Sequence, residues 1–490
     1  MIRSDFAPIA TLEDRITSLL AVSAVGVYLL VLLGAATSLL DAGRACSSWP
    51  TCNGAVVPTA DPMALVALGH RVVGLVVGLV LVATVLASWR REESRIKWVV
   101  TGAALLYPIQ TVIGAIIAVR GATAAIATLH LLVAMTIFSG ILLGLLWHLE
   151  AVTVEPETIE SGMSLRAAGA GTSGVDAGSA TDWQPAQSNE EHRGSTDSAD
   201  PSITEVLGSY VTLTKPRLWW LLSLVAIASM ALAAGPSLSA WNVLSTVTGG
   251  VLAVAASGTF NNIVERDRDA AMDRTADRPL VDGTISVRNA WVFGFALTLA
   301  SMAVFLVFGN PLAAGLGLLA ILFYSVVYTM ILKPNTDQNI VIGGAVGAFP
   351  ALIGWAAVTN TIGLPAVVLG TVIFLWTPAH FYNLALAYKE DYARAGFPML
   401  PVSRGEARTR RHVLLYLGAT MVAAVTLGTV EALSWVYSMV AFGLGAVFLF
   451  TVISLFRERT DEAAFRSFHA SNAYLGVLLL SIVLDAMVFA

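Results

Sequence analysis

Residues 241–269 read WNVLSTVTGGVLAVAASGTFNNIVERDRD. From Trp241 to Phe260 no residue is charged, and about 20 apolar residues is the length that crosses a bilayer's hydrocarbon core. The run then turns into Asn261, Asn262, Glu265, Arg266, Asp267, Arg268 and Asp269, the side chains of a helix end leaving the membrane. The rest of the chain follows the same pattern. It is 56% hydrophobic and 12% charged, too apolar for an ordinary soluble protein. Similar runs recur from Ile16 to the carboxyl end, separated by short polar or Gly/Pro turns. The reading is an all-α polytopic membrane protein.

Spans are expected at about 16–40, 63–88, 98–119 and 123–148, which make a four-helix domain over residues 1–149. Residues 150–200 are rich in Ser, Gly, Ala and acids without apolar periodicity, the signature of a disordered acidic linker on the cytoplasmic side. Nine further spans are expected in residues 201–490, at about 217–235, 241–260, 290–308, 313–331, 339–358, 365–385, 411–430, 435–456 and 470–489. The net charge of −5 and the lack of a basic stripe argue against nucleic-acid binding. The clusters Arg90, Arg91, Arg95, Lys97 and Arg404, Arg408, Arg410, Arg411 instead mark cytoplasmic loops. They place the amino terminus inside and the carboxyl terminus outside a microbial plasma membrane. Glu13, Asp14 and Arg15 precede the first span without a small-residue cleavage site, so that span reads as a retained helix.

At the end of the quoted stretch, Asn262, Glu265 and Asp269 follow i, i+3, i+7 spacing and share a helix face, while Asp267 points elsewhere. Like charges stacked in this way repel, and a divalent cation removes the repulsion. Oxygen ligands suit Mg²⁺, which binds through carboxylates together with substrate phosphates. A solvated helix end that fixes topology accounts for the same acids. Arg266, Arg268, Arg274 and Arg278 follow, and guanidinium groups beside carboxylates suit a diphosphate; mutual surface pairing is the alternative. Lys389, Glu390 and Asp391 end the 365–385 span on the same side, so two acidic helix ends would face one metal–diphosphate. His380 and Asn383 lie on the stripe leading to those acids, and an ionisable residue at that depth is either functional or hydrogen-bonded within the core.

Asn261 through Thr275, with the pattern Asn-Asn-x-x-acid-x-Asp-x-Asp-x-x-Met-x-Arg-Thr, resembles the first metal–diphosphate motif of the protoheme IX farnesyltransferases, the heme O synthase branch of the UbiA-type prenyltransferases. Leu213 to Arg217, Tyr328-Thr329 with Lys333, Asn339 to Gly344, Pro350 to Trp355, Thr377 to Phe381 and Lys389 to Val402 resemble further family segments in order. The resemblance implies a nine-helix bundle in which Asn262, Glu265 and Asp269, with Asp267 in support, and Glu390 or Asp391 bind Mg²⁺. Lys215, Arg217, Arg274, Arg278 and Lys333 would contact the diphosphate of farnesyl diphosphate, with heme B as acceptor. Glu265 stands where Asp is more usual, and Ala379 interrupts the commoner Pro-Pro-His. His380 would either meet the heme iron or brace its helix.

In the first domain, His70 and His130 each lie about seven residues into a span running inward, at about 10 Å depth. They could approach one planar cofactor from two sides, since neutral imidazole ligates iron well; core hydrogen bonding is the alternative. His148 falls at the inner membrane end and reads as interfacial. Cys46 and Cys52 share one external loop, where a disulfide is favoured over zinc because no His or carboxylate completes a tetrahedral set. Cys-x-x-Trp-Pro-x-Cys-x-Gly, His70-Arg71 and Thr128 to Leu131 resemble the amino-terminal half of the heme A synthases. The resemblance implies that His70 and His130 bind heme and that the cysteines form a redox-sensitive pair. The family commonly has Glu where this chain has Ala67, and usually two such halves. One half implies either a homodimer or heme A synthase partner, or a heme-holding module tethered to the transferase.

Three rivals remain at this stage. A transporter would show interrupted helices meeting near the midplane. A non-catalytic heme protein leaves the Asn262-to-Asp269 motif without a use. A UbiA-type enzyme acting on a quinone or lipid acceptor shares the diphosphate site and differs only in its acceptor.

Overall fold

The computed structural model describes residues 12–40, 42–46, 48–54, 61–153, 202–431 and 433–488. Among them, 13 helices are long and apolar enough to cross a membrane. The first four are α1 (Leu12–Leu39), α2 (Pro62–Arg91), α3 (Ser94–Arg120) and α4 (Ala124–Thr153). A shorter helix, α5 (Ile203–Leu213), opens the second domain. It is followed by α6 (Trp219–Ala234), α7 (Ala240–Asp269), α8 (Val287–Phe308), α9 (Pro311–Leu322), α10 (Ala345–Thr359) and α11 (Leu364–Ala387). The short α12 (Lys389–Arg394) leads to α13 (Glu406–Val430), α14 (Trp435–Glu458) and α15 (Asp461–Val488). Most of the expected 150–200 linker lies outside the described residues, and its first residues continue α4.

Local chemistry sets the helix starts. Asp61 accepts from the Met63 amide at 3.0 Å with Pro62 as first helical residue, so a rigid φ and a carboxylate cap begin α2 together. Asn310 and Pro311 start α9 in the same way, the Asn310 side chain accepting from Ala313 N at 2.9 Å. Ser239 caps α7 from Trp241 N and Asn242 N. From there α7 runs 30 residues without a break, carrying the whole acidic motif on one helix. The last turns of the α9 span widen into a π-helix, Phe323–Leu332, and Gly343 leaves room for the Tyr328 ring where a Cβ would come within 2.5 Å. Runs of π-helix are rare and tend to mark functional sites.

The two membrane domains pack against each other. Helices α1 and α4 lie against α13 and α14, and one buried cluster runs through Leu20, Phe138, Leu146, Leu414, Met421 and Phe448. Leu142 fills the space over Gly418, where any Cβ would collide with it. The Tyr28 ring stands 6.4 Å from that of Phe442 and rests on Gly445, and Arg411 lies 3.7 Å from Glu150. Between helices in lipid, close packing of this kind supplies association energy that hydrophobic transfer does not. His148 is buried within the protein. Its Nε2 meets Thr17 Oγ1 and its Nδ1 meets Glu92 Oε1, each at 3.0 Å, because the α2–α3 turn folds back over the end of α4.

A candidate diphosphate and metal site

The site is built on the last two turns of α7, at the acidic face of the bundle. Asn261, Asn262, Glu265 and Asp269 are buried there, since the i, i+3, i+7 stripe turns inward. Each acid has a cation brought by another element. Lys333, at the end of the π-helix, donates to Glu265 Oε1 at 2.6 Å, and Arg278 donates to Asp269 Oδ2 at 2.5 Å. Lys215 donates to Asn261 Oδ1, and Asn261 Nδ2 donates in turn to Thr329 Oγ1 at 3.0 Å. Asn262 Nδ2 donates to the Leu213 carbonyl at 2.9 Å, which ties the end of α5 to α7. Lys215 adopts a left-handed backbone (φ 53°), a conformation costly for a side chain with a Cβ. Burial pushes its ammonium down to about 7, partly opposed by Glu265.

The second acidic helix end folds over the first through arginines. Arg394 bridges Asp391 and Asp273, the latter at 2.6 Å. Arg274 donates to the Tyr392 hydroxyl at 2.9 Å and stacks 5.0 Å from the rings of Tyr388 and Tyr392. Phe397 is covered by Arg268 and Lys333, at 4.9 and 4.5 Å from its ring. Thr275 Oγ1 donates to Asp269 O at 2.8 Å and pins the intervening loop.

Two buried oxygens at this site, Asn262 Oδ1 and Asp269 Oδ1, have no protein partner. Among the described residues no three His, Cys, Asp or Glu side chains converge into a ready-made metal cage. Mg²⁺ takes one or two carboxylates and completes its octahedron with water and substrate phosphate. The oxygen donors Asn262, Glu265 and Asp269 suit such an ion, while Asp391 is paired with Arg394.

Not every residue expected at the site is gathered there. The Asp267 side chain is 89% exposed and pairs with Arg266 at 3.0 Å, because two residues along a helix from Glu265 is nearly the opposite face. Glu390 is exposed while its neighbour Asp391 is buried. Arg217 is exposed on the single turn Pro216–Leu218. His380 lies flat between Trp376 and Phe468, with ring centroids 4.3 Å away on both sides, and its Nδ1 meets Ser471 Oγ at 2.6 Å. It braces α11 against α15. The residues that sequence reasoning left out are Asp273, Arg394, Tyr392 and Phe397, each with a partner on a distant segment, and Asn261, hidden by assigning its neighbour to the active face.

Beneath the charges an apolar cavity opens between α6, α7, the π-helix and α10, lined by Leu222, Val251, Val254, Phe349 and Ile353. Tyr324 stands in its wall within the field of Glu265, Asp269 and Arg278. The arrangement suits an amphiphile with an anionic head and an apolar tail.

In the first domain, His70 packs 3.5 Å from where a Cβ of Gly34 would lie, and His130 3.1 Å from that of Gly114. The Nδ1 atoms of both are buried without a partner. Cys46 and Cys52 are disulfide-bonded, with Cα atoms 4.7 Å apart. Arg71 donates to the carbonyls of Cys46, Ser48, Pro50 and Thr51 at 2.8–3.2 Å, fastening this loop beside His70.

Residues 221–477 match the UbiA prenyltransferase family, and residues 17–67 match a family described as cytochrome oxidase assembly protein. Protoheme IX farnesyltransferase of Haloarcula marismortui is 51% identical over 472 residues, covering 96% of this chain and 98% of that protein. Protoheme IX farnesyltransferase 1 of Saccharopolyspora erythraea is 46% identical over 286 residues, 58% of this chain and 91% of that protein. A digeranylgeranylglyceryl phosphate synthase structure is 18% identical at a TM-score of 0.49, covering 58% of this chain and 99% of that one. With more than half its length matched by the family and a relative similar over nearly all of it, the chain belongs to the UbiA prenyltransferase family.

Proposed function

We propose that this chain is a protoheme IX farnesyltransferase, converting heme B to heme O. The observation that carries the reading is the junction of the buried carboxylate–cation cluster, Asn262 to Asp269 with Lys215, Arg278 and Lys333, and the apolar cavity below it. The diphosphate of farnesyl diphosphate sits among the cations, and its isoprenoid tail occupies the cavity. The C–O bond to the diphosphate breaks and the bonding pair leaves with the diphosphate. A heme vinyl carbon then bonds to the allylic cation. Water adds to the resulting porphyrin-side cation and releases a proton, which leaves a hydroxyethylfarnesyl side chain. Lys215, Arg278 and Lys333 stabilise charge on the departing diphosphate, and the cavity walls withhold water from the allylic cation. Mg²⁺ held by Asn262, Glu265, Asp269 and Asp391 would neutralise phosphate charge further.

The first domain holds heme between His70 and His130, whose unpartnered Nδ1 atoms and facing glycines suit a bound porphyrin. The protein resides in the cell membrane with the acidic face cytoplasmic, as the basic loops imply. Purified protein incubated with heme B, farnesyl diphosphate and Mg²⁺ is expected to yield hydroxyethylfarnesyl heme by mass spectrometry. Absence of product despite bound heme and intact helices defeats the reading, and prenylation of a quinone in parallel would reassign the acceptor.

A further inference from the structure

Helix α5 presents three faces. Tyr210 and Leu213 turn to the protein: the Tyr210 ring lies 4.9 Å from Phe293, and Leu213 is buried with Leu280, Ile285 and Ala290. Glu205 and Thr212 form a polar side, and Glu205 closes a capping box with Ser202. The third face is a stripe of Ile203, Leu207 and Val211 at i, i+4, i+8, exposed by 80%, 59% and 51%. An 11-residue helix is about 16 Å long and cannot span a core of about 30 Å.

We propose that α5 lies in the membrane surface, its Ile203, Leu207 and Val211 stripe sunk at the boundary between headgroups and acyl chains. The neighbouring α8, a membrane-spanning helix, exposes Val292, Phe295 and Leu299 by 64%, 56% and 70%. Tyr210 joins α5 to this helix at Phe293. Amphipathic helices with this distribution bind in the interface plane.

The position has a consequence for the site. The last carbonyl of α5, at Leu213, accepts from Asn262, and two residues later Lys215 takes its left-handed turn into the cluster. Leu218 and Trp219, which follow directly, line the cavity. A helix seated in the surface holds this strap in place and offers a prenyl diphosphate, itself an interfacial amphiphile, a short path to the cations. This second part rests on the proposed function.

The test uses the full chain in phosphatidylcholine–phosphatidylglycerol vesicles. Both native cysteines are in the disulfide, so a nitroxide reports only on an introduced thiol. Leu207→Cys is expected to be more accessible to oxygen than to an aqueous nickel chelate, and Thr212→Cys the reverse. A Leu207 label as open to nickel as the Thr212 label, or shielded from both reagents because protein covers it, overturns the proposal. In the same vesicles Leu207→Asp/Val211→Asp should raise KM for farnesyl diphosphate about threefold or more with kcat within about twofold, because interfacial binding scales with buried apolar area. An unchanged KM refutes the substrate path. Should the double variant fail to fold, Leu207→Gln replaces it. A wild-type chain without prenyl transfer defeats the proposed function, while the nitroxide arm still decides where α5 lies.

Discussion

Lys333 Nζ lies 2.6 Å from Glu265 Oε1, and both side chains are buried. The lysine comes from the end of a π-helix and the glutamate from α7, so the pair joins two walls of the site across 68 positions of sequence. Removing one partner leaves a desolvated charge. Lys333→Met is therefore expected to destabilise the protein by roughly 3–5 kcal/mol, with Lys333→Arg much milder. Thermal unfolding in detergent measures the difference. Added Mg²⁺ should recover part of the loss in Lys333→Met by neutralising Glu265, and failure to do so would separate Glu265 from metal binding.

Two acids two residues apart should behave oppositely. Asp269→Ala removes a buried carboxylate with an unpartnered oxygen and should lower kcat by about 10²–10³-fold or more, the range seen when one charge-stabilising group is deleted. Asp267→Ala and Glu390→Ala alter exposed side chains and should stay within about twofold of the parent. Steady-state rates of heme product formation compare the three variants. A collapse on Asp267→Ala would mean that the closed, substrate-bound site recruits that face.

Lys215 supplies a pH signature. Burial holds its free-state pKa at about 7, and a bound diphosphate would raise it by favouring the ammonium. Below pH 7 the lysine is charged with or without ligand, so affinity is full. As pH rises above 7 the free protein loses the proton, the complex keeps it, and affinity falls by up to about tenfold per unit. Calorimetry in buffers of different ionisation enthalpy should detect proton uptake near pH 8. Lys215→Arg should remove that uptake, and persistence of it would assign the proton to another group.

What was legible in the sequence follows from periodicity. The i, i+3, i+7 spacing of Asn262, Glu265 and Asp269 located the buried face and set Asp267 apart, and apolar run length gave 13 spans with ends displaced by a few residues. The largest displacements are at α15, which begins at Asp461, and at α7, which runs on to Asp269, because charged residues extend both helices past the hydrocarbon core. Contacts between distant segments had no such signal. Nothing in the spacing of Gly418 indicates that Leu142 packs onto it, and nothing near His380 reveals Phe468 and Ser471. Helix α5 was missed because a run of 11 residues is too short to register as a span.

Docking of the domains sharpens a test of their independence. His70→Ala should weaken heme retention, visible as loss of the Soret band, while prenyl transfer stays within about twofold, because His70 faces Gly34 inside the four-helix domain and not α13. Gly418→Val acts differently. Its added side chain meets Leu142 at the seam, and overpacking of this kind costs about 1–3 kcal/mol. Thermal unfolding should report that loss in both domains together, since one buried cluster runs through both. Leu142→Ala in the Gly418→Val background should recover stability by vacating the volume. If Gly418→Val shifts unfolding of the transferase alone, with the heme spectrum melting as before, the seam carries no coupling and the domains stand as separate folding units despite their contact.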